Sequence, residues 1–270
     1  MGDRRPFVGG NWKMNTSRSS AAELARGVVD GAGGAVDGCD VAVCPPFPYL
    51  LTVGAVLDEL GGGVMLGAQD VYHEAEGAFT GEVSVAMLAE CGVKVVLTGH
   101  SERRHVIGEP DELINLKTRA SLDGGLHCIL CVGETIEQRE GGETDAVNER
   151  QLRAGLAGIS AEQMSSVTIA YEPVWAIGTG KTATPADAQA AHAAIRGVLG
   201  ALYGADVAGA TRIQYGGSVK PGNAEELFGQ PDIDGGLIGG AALKAGDFSA
   251  IVAAGAGSGA GSGAGFGAGS

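Results

Sequence analysis

Short apolar, β-branched runs alternate along the chain with longer stretches of helical character. The first pattern predicts buried strands and the second predicts helices, so their alternation indicates repeated βα units around a parallel sheet. Eight strands are predicted: Phe7–Asn11, Asp40–Cys44, Val64–Ala68, Val95–Thr98, His127–Cys131, Thr168–Tyr171, Arg212–Tyr215 and Gly236–Ile238. Helices are predicted at Ala21–Val29, Val85–Ala89, Glu112–Leu122, Ala146–Leu156 and Pro185–Leu202.

Eight alternations fit either a closed barrel or an open doubly wound sheet, and the polar residues distinguish the two. Five of them fall at or just after the C-terminal ends of different predicted strands: Asn11, Lys13, His100, Glu172 and Ser218. A barrel gathers its active site from several strand ends, whereas an open sheet concentrates it near one switch point. We therefore expect an α/β fold, a single-domain (β/α)8 barrel over residues 1–254.

The last sixteen residues, 255–270, consist of Gly, Ala and Ser with one Phe. Such a segment has almost nothing to bury, so we expect a disordered tail outside the fold. The alternative is flat stacking of its alternating small residues into a silk-like sheet.

Composition and charge narrow the class of protein. Hydrophobic residues make up 44% of the chain and charged residues 19%, which provides a sizeable core. The formal net charge of −14 repels nucleic acid and anionic membranes, so a phosphate ligand has to be held locally by backbone amides and a lysine. Without an apolar run long enough for a membrane span or a signal region, we expect a cytoplasmic protein. The five cysteines do not suggest a disulfide framework.

Two strand ends carry candidates for acid–base and electrostatic chemistry. If the first strand stays extended, its two-residue period places Asn11 and Lys13 on one face, directed into the barrel mouth, although Lys13 could equally be a solvated loop lysine. His100 follows a glycine at the end of the fourth strand and precedes polar residues suited to opening a helix. A helix start disfavours the imidazolium, so His100 is expected to be neutral and to donate a hydrogen bond.

Three further strand ends complete the set. Glu172 follows the sixth predicted strand and is a candidate for a general base. The proline and the glycine-containing segment after it could form a mobile lid. The glycine-rich turns after strands seven and eight, which include Ser218, Gly239 and Gly240, suit phosphate binding through backbone amides. Tight turns also require glycine, so the glycines alone leave a structural role open.

At this point five motifs, in order along the chain, resemble the triosephosphate isomerase family. They are Asn11-Trp12-Lys13-Met14-Asn15, Gly99-His100-Ser101-Glu102-Arg103-Arg104, Tyr171-Glu172-Pro173-Val174-Trp175-Ala176-Ile177-Gly178-Thr179-Gly180, Tyr215-Gly216-Gly217-Ser218 and Gly239-Gly240-Ala241. The resemblance extends to about residue 252 and excludes the tail. It implies a cofactor-free interconversion of dihydroxyacetone phosphate and D-glyceraldehyde 3-phosphate, in glycolysis and gluconeogenesis.

The resemblance also implies the roles of individual residues. Glu172 would be the base and neutral His100 the electrophile, while Lys13 and Asn11 would stabilise the enediolate oxygens. Gly178, Ser218, Gly239 and Gly240 would bind phosphate through their backbone, and Leu237 would also belong to the substrate site.

Quaternary structure and alternative functions follow from other parts of the chain. The segment Gly77–Glu82 resembles the family's interdigitating loop, which would bring Thr80 to a neighbouring active site in a homodimer. Two rivals remain: another phosphate-binding barrel, such as an aldolase that uses Lys13 as a Schiff base, and a non-catalytic adhesion protein whose tail is the working part.

Overall fold

The computed structural model describes residues 4–176 and 183–258, in which eight parallel strands close into a barrel. The strands are β1 (Phe7–Asn11), β2 (Asp40–Cys44), β3 (Val64–Ala68), β4 (Val95–Thr98), β5 (His127–Val132), β6 (Val167–Tyr171), β7 (Arg212–Tyr215) and β8 (Gly235–Ile238). Each strand pairs with its neighbours in sequence, and β8 pairs with β1 to close the ring. The (β/α)8 fold expected from the sequence is confirmed. Gly178 lies outside the described residues.

Helices connect successive strands and cover the outside of the barrel. Within the described ranges they are α1 (Arg18–Ala32), α2 (Leu50–Leu60), α3 (Val85–Glu90), α4 (Asp111–Asp123), α5 (Ile136–Glu140), α6 (Thr144–Gly155), α7 (Pro185–Tyr203), α8 (Ala205–Ala210), α9 (Ala224–Phe228) and α10 (Ala245–Ser258). The five predicted helices are all present, as α1, α3, α4, α6 and α7. Side-chain caps explain several starts: Ser17 and Thr184 each accept a hydrogen bond from the backbone N–H three residues later.

The apolar residues form two layers that follow the two-residue period of the strands. Phe7, Leu97 and Ile129 belong to a cluster inside the barrel, whereas Val8 and Leu130 belong to the larger cluster between the barrel and its helices. Because adjacent strand residues point to opposite faces, one strand can contribute to both layers, as β1 does with Phe7 and Val8. The barrel is therefore packed through its centre, and open space is left at its ends.

Ion pairs close the N-terminal end of the barrel. Asp40, at the start of β2, accepts hydrogen bonds from Arg5 at 2.7 Å and from Arg212 of β7 at 2.5 Å. Asp234, just before β8, pairs with Arg4 at 2.6 Å and with Arg196 of α7 at 2.8 Å. These carboxylates are nearly buried, and each has two guanidinium partners that offset the cost of removing it from water.

The last helix continues beyond the boundary expected after residue 254. Helix α10 ends at Ser258, and Gly255 is buried. A side chain at position 255 would come within 3.2 Å of Val8 and 3.3 Å of the Cys39 sulfur, so the first residues of the Gly/Ala/Ser segment belong to the packed fold. Residues 259–270 lie outside the described part of the chain. None of the described helices is long and apolar enough to cross a bilayer.

Candidate active site

The end of β1 brings an amide and an ammonium into the mouth of the barrel, but not by continuing the strand. The strand ends at Asn11, Trp12 is fully buried, and Lys13 adopts a left-handed conformation with φ of 51°. The expectation that persistent extension aligns Asn11 with Lys13 is therefore wrong. Instead the Asn11 Oδ1 accepts a hydrogen bond from the Lys13 backbone N–H at 2.9 Å, which stabilises this turn.

The Lys13 side chain crosses the cavity towards β4 and β8. Its Nζ donates to the Glu102 Oε1 at 2.6 Å, and a side chain at position 239 would come within 3.4 Å of the Lys13 Cε. A quarter of the lysine side chain remains exposed. The ammonium thus has one carboxylate partner and lies beside the glycine turn after β8, where an incoming anion would meet it.

His100 lies directly after the left-handed Gly99 at the end of β4, where its environment defines one tautomer. Its carbonyl oxygen accepts from the N–H groups of Arg103 and Arg104, so the chain enters a helical turn as expected. The N–H of Glu102 donates to the His100 Nδ1 at 3.2 Å, which requires Nδ1 to be unprotonated. A neutral ring then carries its proton on Nε2, the atom that faces Glu172.

Glu172 is 2% exposed and is held by two donors from Ser101. Its Oε2 accepts from the Ser101 N–H at 2.8 Å, its Oε1 accepts from the Ser101 hydroxyl at 3.1 Å, and the His100 Nε2 lies 3.1 Å from Oε1. Its backbone is fixed as well, because the Glu172 N–H donates to the Val132 carbonyl at 2.7 Å. The base candidate and the imidazole therefore face each other in one cavity.

Glycines on either side of Glu172 let the neighbouring backbones approach it closely. A side chain at Gly133 would lie 1.7 Å from the Glu172 carbonyl oxygen, and one at Gly216 would lie 2.8 Å from its Cγ. Both positions exclude a β-carbon without a backbone shift. The carboxylate arm is thus enclosed by main chain on two sides.

The remaining wall of the cavity comes from β7 and β8. The cavity has a volume of about 540 Å³, and its lining includes Ser218, Leu237, Gly239 and Gly240 together with the four polar candidates from β1, β4 and β6. The Ser218 hydroxyl donates to the Ala176 carbonyl at 3.1 Å. The structure thus brings together every predicted site residue except Gly178, which is outside the described ranges.

A buried carboxylate anchors the first part of the segment that follows Glu172. Glu134 is fully buried and accepts hydrogen bonds from the Tyr171 hydroxyl at 3.1 Å and from the Trp175 Nε1 at 2.9 Å. Burial, and then the neighbouring Glu134 charge, raise the pKa of the Tyr171 hydroxyl, so this phenol stays a donor. Residues 177–182, the remainder of the predicted lid, are outside the described chain.

Two functional candidates were missed by the sequence analysis. Ser101 donates both hydrogen bonds to the Glu172 carboxylate, and Glu102 pairs with Lys13. Both follow His100 in the polar run after β4, and that position at a strand end was the available signal. Their partners lie 71 and 89 residues away in the chain, so only the closed barrel shows the pairing.

Comparisons with known proteins agree over almost the whole chain. A profile of the triosephosphate isomerase family matches residues 6–255. Similar proteins named triosephosphate isomerase include one from Carboxydothermus hydrogenoformans, 57% identical over 92% of this chain and 98% of its own. Those from Roseiflexus sp. and Chloroherpeton thalassium are 54% and 53% identical, each over 92% of this chain and over 97% and 98% of their own, respectively.

Proposed function

Because this chain belongs to the triosephosphate isomerase family and interconverts dihydroxyacetone phosphate and D-glyceraldehyde 3-phosphate, we propose that Glu172 moves the proton between the two carbons. His100 and Lys13 stabilise the enediolate oxygens, and Asn11 assists them. The observation that carries this assignment is the 3.1 Å contact between the His100 Nε2 and the Glu172 Oε1 inside the common cavity.

The chemistry requires a base on one side of the substrate and donors on the other. Removing a proton next to a carbonyl builds negative charge on the carbonyl oxygen, and donors fixed in place stabilise that charge without reorganising. The neutral His100 Nε2–H and the Lys13 ammonium provide a hydrogen bond and a positive charge. A bound carbonyl oxygen would accept a hydrogen bond from Nε2–H, which in this structure lies 3.1 Å from the Glu172 Oε1.

Glu172 therefore has to exchange its resting hydrogen bonds before it acts. Ser101 holds both carboxylate oxygens, and the backbone at residue 172 is fixed by Val132. The motion is thus confined to side-chain torsions, which carry the carboxylate from Ser101 towards the substrate carbon. A fixed backbone with a mobile carboxylate suits a base that serves two adjacent carbons in turn.

Phosphate recognition is assigned to the opposite wall. The backbone amides of Ser218, Gly239 and Gly240, after β7 and β8, are proposed to bind the phosphate, and Leu237 contributes apolar contact; Gly178 is proposed as a further backbone donor. The Lys13 side chain lies beside Gly239, and Lys220 and Lys244 also line the cavity, so this acidic protein supplies positive charge locally where a phosphate would bind. Amide donors bind the substrate in a fixed orientation while its other end meets Glu172.

A coupled isomerase assay with D-glyceraldehyde 3-phosphate, in the presence of a chelator, tests the residue roles. We expect Glu172→Gln and His100→Gln to lose turnover by at least a hundredfold while keeping the thermal unfolding temperature of the unsubstituted protein. Two folded variants with turnover near the unsubstituted value would remove both residues from the mechanism. A matched control is His192→Gln, because this buried histidine belongs to helix α7 and takes no part in the cavity lining.

We further propose that the protein acts in the cytoplasm as a homodimer that docks through the loop around Thr80. All residues of the loop Gly77–Glu82 are exposed, and the exposed fraction of the Phe79 side chain is 38%. Met14, next to Lys13, is 95% exposed, and Ile107 is 63% exposed. Large exposed apolar side chains are typical of a surface that a second chain covers.

Sedimentation and dilution experiments test the dimer. The unsubstituted protein is expected to sediment as a dimer, and Phe79→Asp is expected to shift it towards monomer with a loss of turnover. Leu51→Asp is the control, since it charges another exposed apolar side chain that belongs to helix α2. Monomeric, fully active unsubstituted protein would exclude this assembly.

A further inference from the structure

A buried guanidinium lies behind the catalytic histidine and takes no part in the chemistry proposed above. The Arg104 side chain is 7% exposed. Its Nε donates to the Gly99 carbonyl at 2.8 Å, its Nη2 donates to the Cys131 carbonyl at 3.1 Å, and its Nη1 pairs with Asp111. A buried arginine that uses three nitrogens on two carbonyls and a carboxylate is fully committed to this geometry.

The two carbonyls belong to adjacent strands at the point where their pairing ends. The last register pair between β4 and β5 joins Thr98 to Leu130. Gly99 and Cys131 are the next residue on each strand, so the guanidinium bridges the two chains one step beyond their ladder. Arg104 thus replaces a cross-strand hydrogen bond with a side-chain clamp.

The local conformation of β4 is adapted to this clamp. Gly99 has φ of 68°, and a β-carbon there would lie 2.9 Å from the Arg104 Nη2 and 3.1 Å from the Cys131 carbonyl. Any other residue would meet both a steric clash and an unfavourable backbone region. The absent side chain therefore leaves the space through which the guanidinium reaches β5.

One bridged strand leads directly into His100, and the other is hydrogen-bonded to the backbone of Glu172, which follows β6. Gly99 directly precedes His100, and Cys131 directly precedes Val132, whose carbonyl accepts the Glu172 N–H at 2.7 Å. A continuous series of bonds thus connects the backbone of the imidazole to the backbone of the carboxylate through Arg104. The phosphate wall, on β7 and β8, lies outside this series.

We propose that Arg104 is a positioning residue that fixes the separation of His100 and Glu172, an inference that rests on the catalytic roles proposed for that pair. Without the clamp, the β4 and β5 ends are free to shift relative to each other. A displacement of about 1 Å between reacting groups can cost on the order of a hundredfold in rate. Loss of Arg104 should therefore lower kcat and leave phosphate binding nearly unchanged.

The substitution Arg104→Lys tests this, because lysine keeps the charge but has no planar fork with which to bind both carbonyls. A matched control is Arg196→Lys. Arg196 is also a largely buried arginine that donates to backbone carbonyls, those of Ala208, Thr211 and Asp232, and pairs with two aspartates, but at the opposite end of the barrel. Both variants should lose comparable thermal stability.

The expected difference is in kcat. Arg104→Lys should lower kcat by about tenfold to a hundredfold, with the inhibition constant of inorganic phosphate within about twofold of the unsubstituted value. Arg196→Lys should leave both quantities within about twofold. Equal kcat values in the two variants, or a parallel loss of phosphate affinity and kcat in Arg104→Lys, would overturn the positioning role.

A second variant keeps the test decisive if Arg104→Lys does not fold. Asp111→Asn retains the guanidinium but weakens its anchor, and should give a smaller fall in kcat with the same unchanged phosphate inhibition. Unchanged kcat in folded Asp111→Asn would also count against the clamp. Glu172→Gln, assayed in parallel, separates the failure of the catalytic proposal from the failure of the positioning proposal. Full activity of Glu172→Gln would refute the catalytic role of Glu172. Full activity of the Arg104 and Asp111 variants, with Glu172→Gln inactive, would refute only the positioning role of Arg104.

Discussion

Replacing Glu172 by Asp removes one methylene group and retains the charge, so it tests position rather than chemistry. The carboxylate retracts along its arm by about 1.5 Å, the length of one carbon–carbon bond. At rest its oxygens lie 2.8 and 3.1 Å from the Ser101 donors and 3.1 Å from the His100 Nε2. After retraction these separations approach roughly 4.5 Å, beyond hydrogen-bond reach.

The backbone is unable to follow the shortened side chain. The Glu172 N–H is bonded to Val132, and its carbonyl oxygen meets the backbone at Gly133, where no extra atom fits. The base therefore sits about 1 Å or more from its working position, which corresponds to a loss on the order of a hundredfold in kcat. At about 1.36 kcal/mol per tenfold, this equals roughly 2.7 kcal/mol of activation free energy.

The measurement is kcat and KM in both reaction directions, together with thermal unfolding and inhibition by inorganic phosphate. The fold and the phosphate affinity should be unchanged, because the substitution touches neither the amides after β7 and β8 nor the core. A folded Glu172→Asp protein with kcat within threefold of the unsubstituted value would show that the carboxylate position does not limit the reaction. A loss equal to that of Glu172→Gln would show that the shortened carboxylate has no residual function.

Three further predictions concern charge, chain length and pH. Lys13→Ala should raise the activation free energy by about 3 kcal/mol, measured as a fall in kcat. An effect confined to KM would instead indicate that Lys13 binds the ground state and the transition state equally. Deleting residues 259–270 should change neither turnover nor stability. Deletion from Gly255 onward should lower the urea midpoint of unfolding with little effect on turnover. Loss of turnover on deletion of residues 259–270 would show that the tail is needed for function. Burial lowers the pKa of His127 to about 3 and of His192 to about 4, from 6.5 when unfolded. Between pH 6.5 and about 4, only the unfolded chain takes up these protons. Lowering the pH from 7 to 5 should therefore reduce the free energy of unfolding by about 2 kcal/mol for each histidine. In urea titrations at fixed protein concentration, the free energy of unfolding of His192→Asn should depend less steeply on pH.

The strand positions could be predicted from the sequence because each strand is buried on both faces. Runs such as Val95–Thr98 are buried throughout and apolar except for a final threonine, and the predicted strand bounds agree with the structure to within one residue. Helix α2 (Leu50–Leu60) was not predicted. It contains Gly54, which lowers helix propensity. A β-carbon at this position would lie 3.2 Å from the Leu66 side chain, so glycine allows a close approach to β3 that only the tertiary structure reveals.

The site residues could be found individually, but their local geometry could not. Their positions at the ends of predicted strands identified Glu172, His100 and Lys13 as candidates. The distances between these side chains could not be predicted from the sequence. Lys13 required a left-handed backbone that no propensity favours for lysine. The donors to Glu172 come from Ser101, a residue whose importance depends on contact across the barrel. Local patterns therefore locate the chemistry, and long-range closure determines which groups meet.

The hydrogen bonds that Ser101 makes to Glu172 have a consequence for selectivity among anions, given the roles proposed above. Inorganic phosphate bound to the amides after β7 and β8 would offer no carbonyl oxygen to His100, so the carboxylate would keep its Ser101 donors. A triose phosphate would offer both groups at once and could draw the carboxylate away from Ser101. Phosphate alone would then leave the proposed base on Ser101, and its release would depend on the carbonyl end of the substrate.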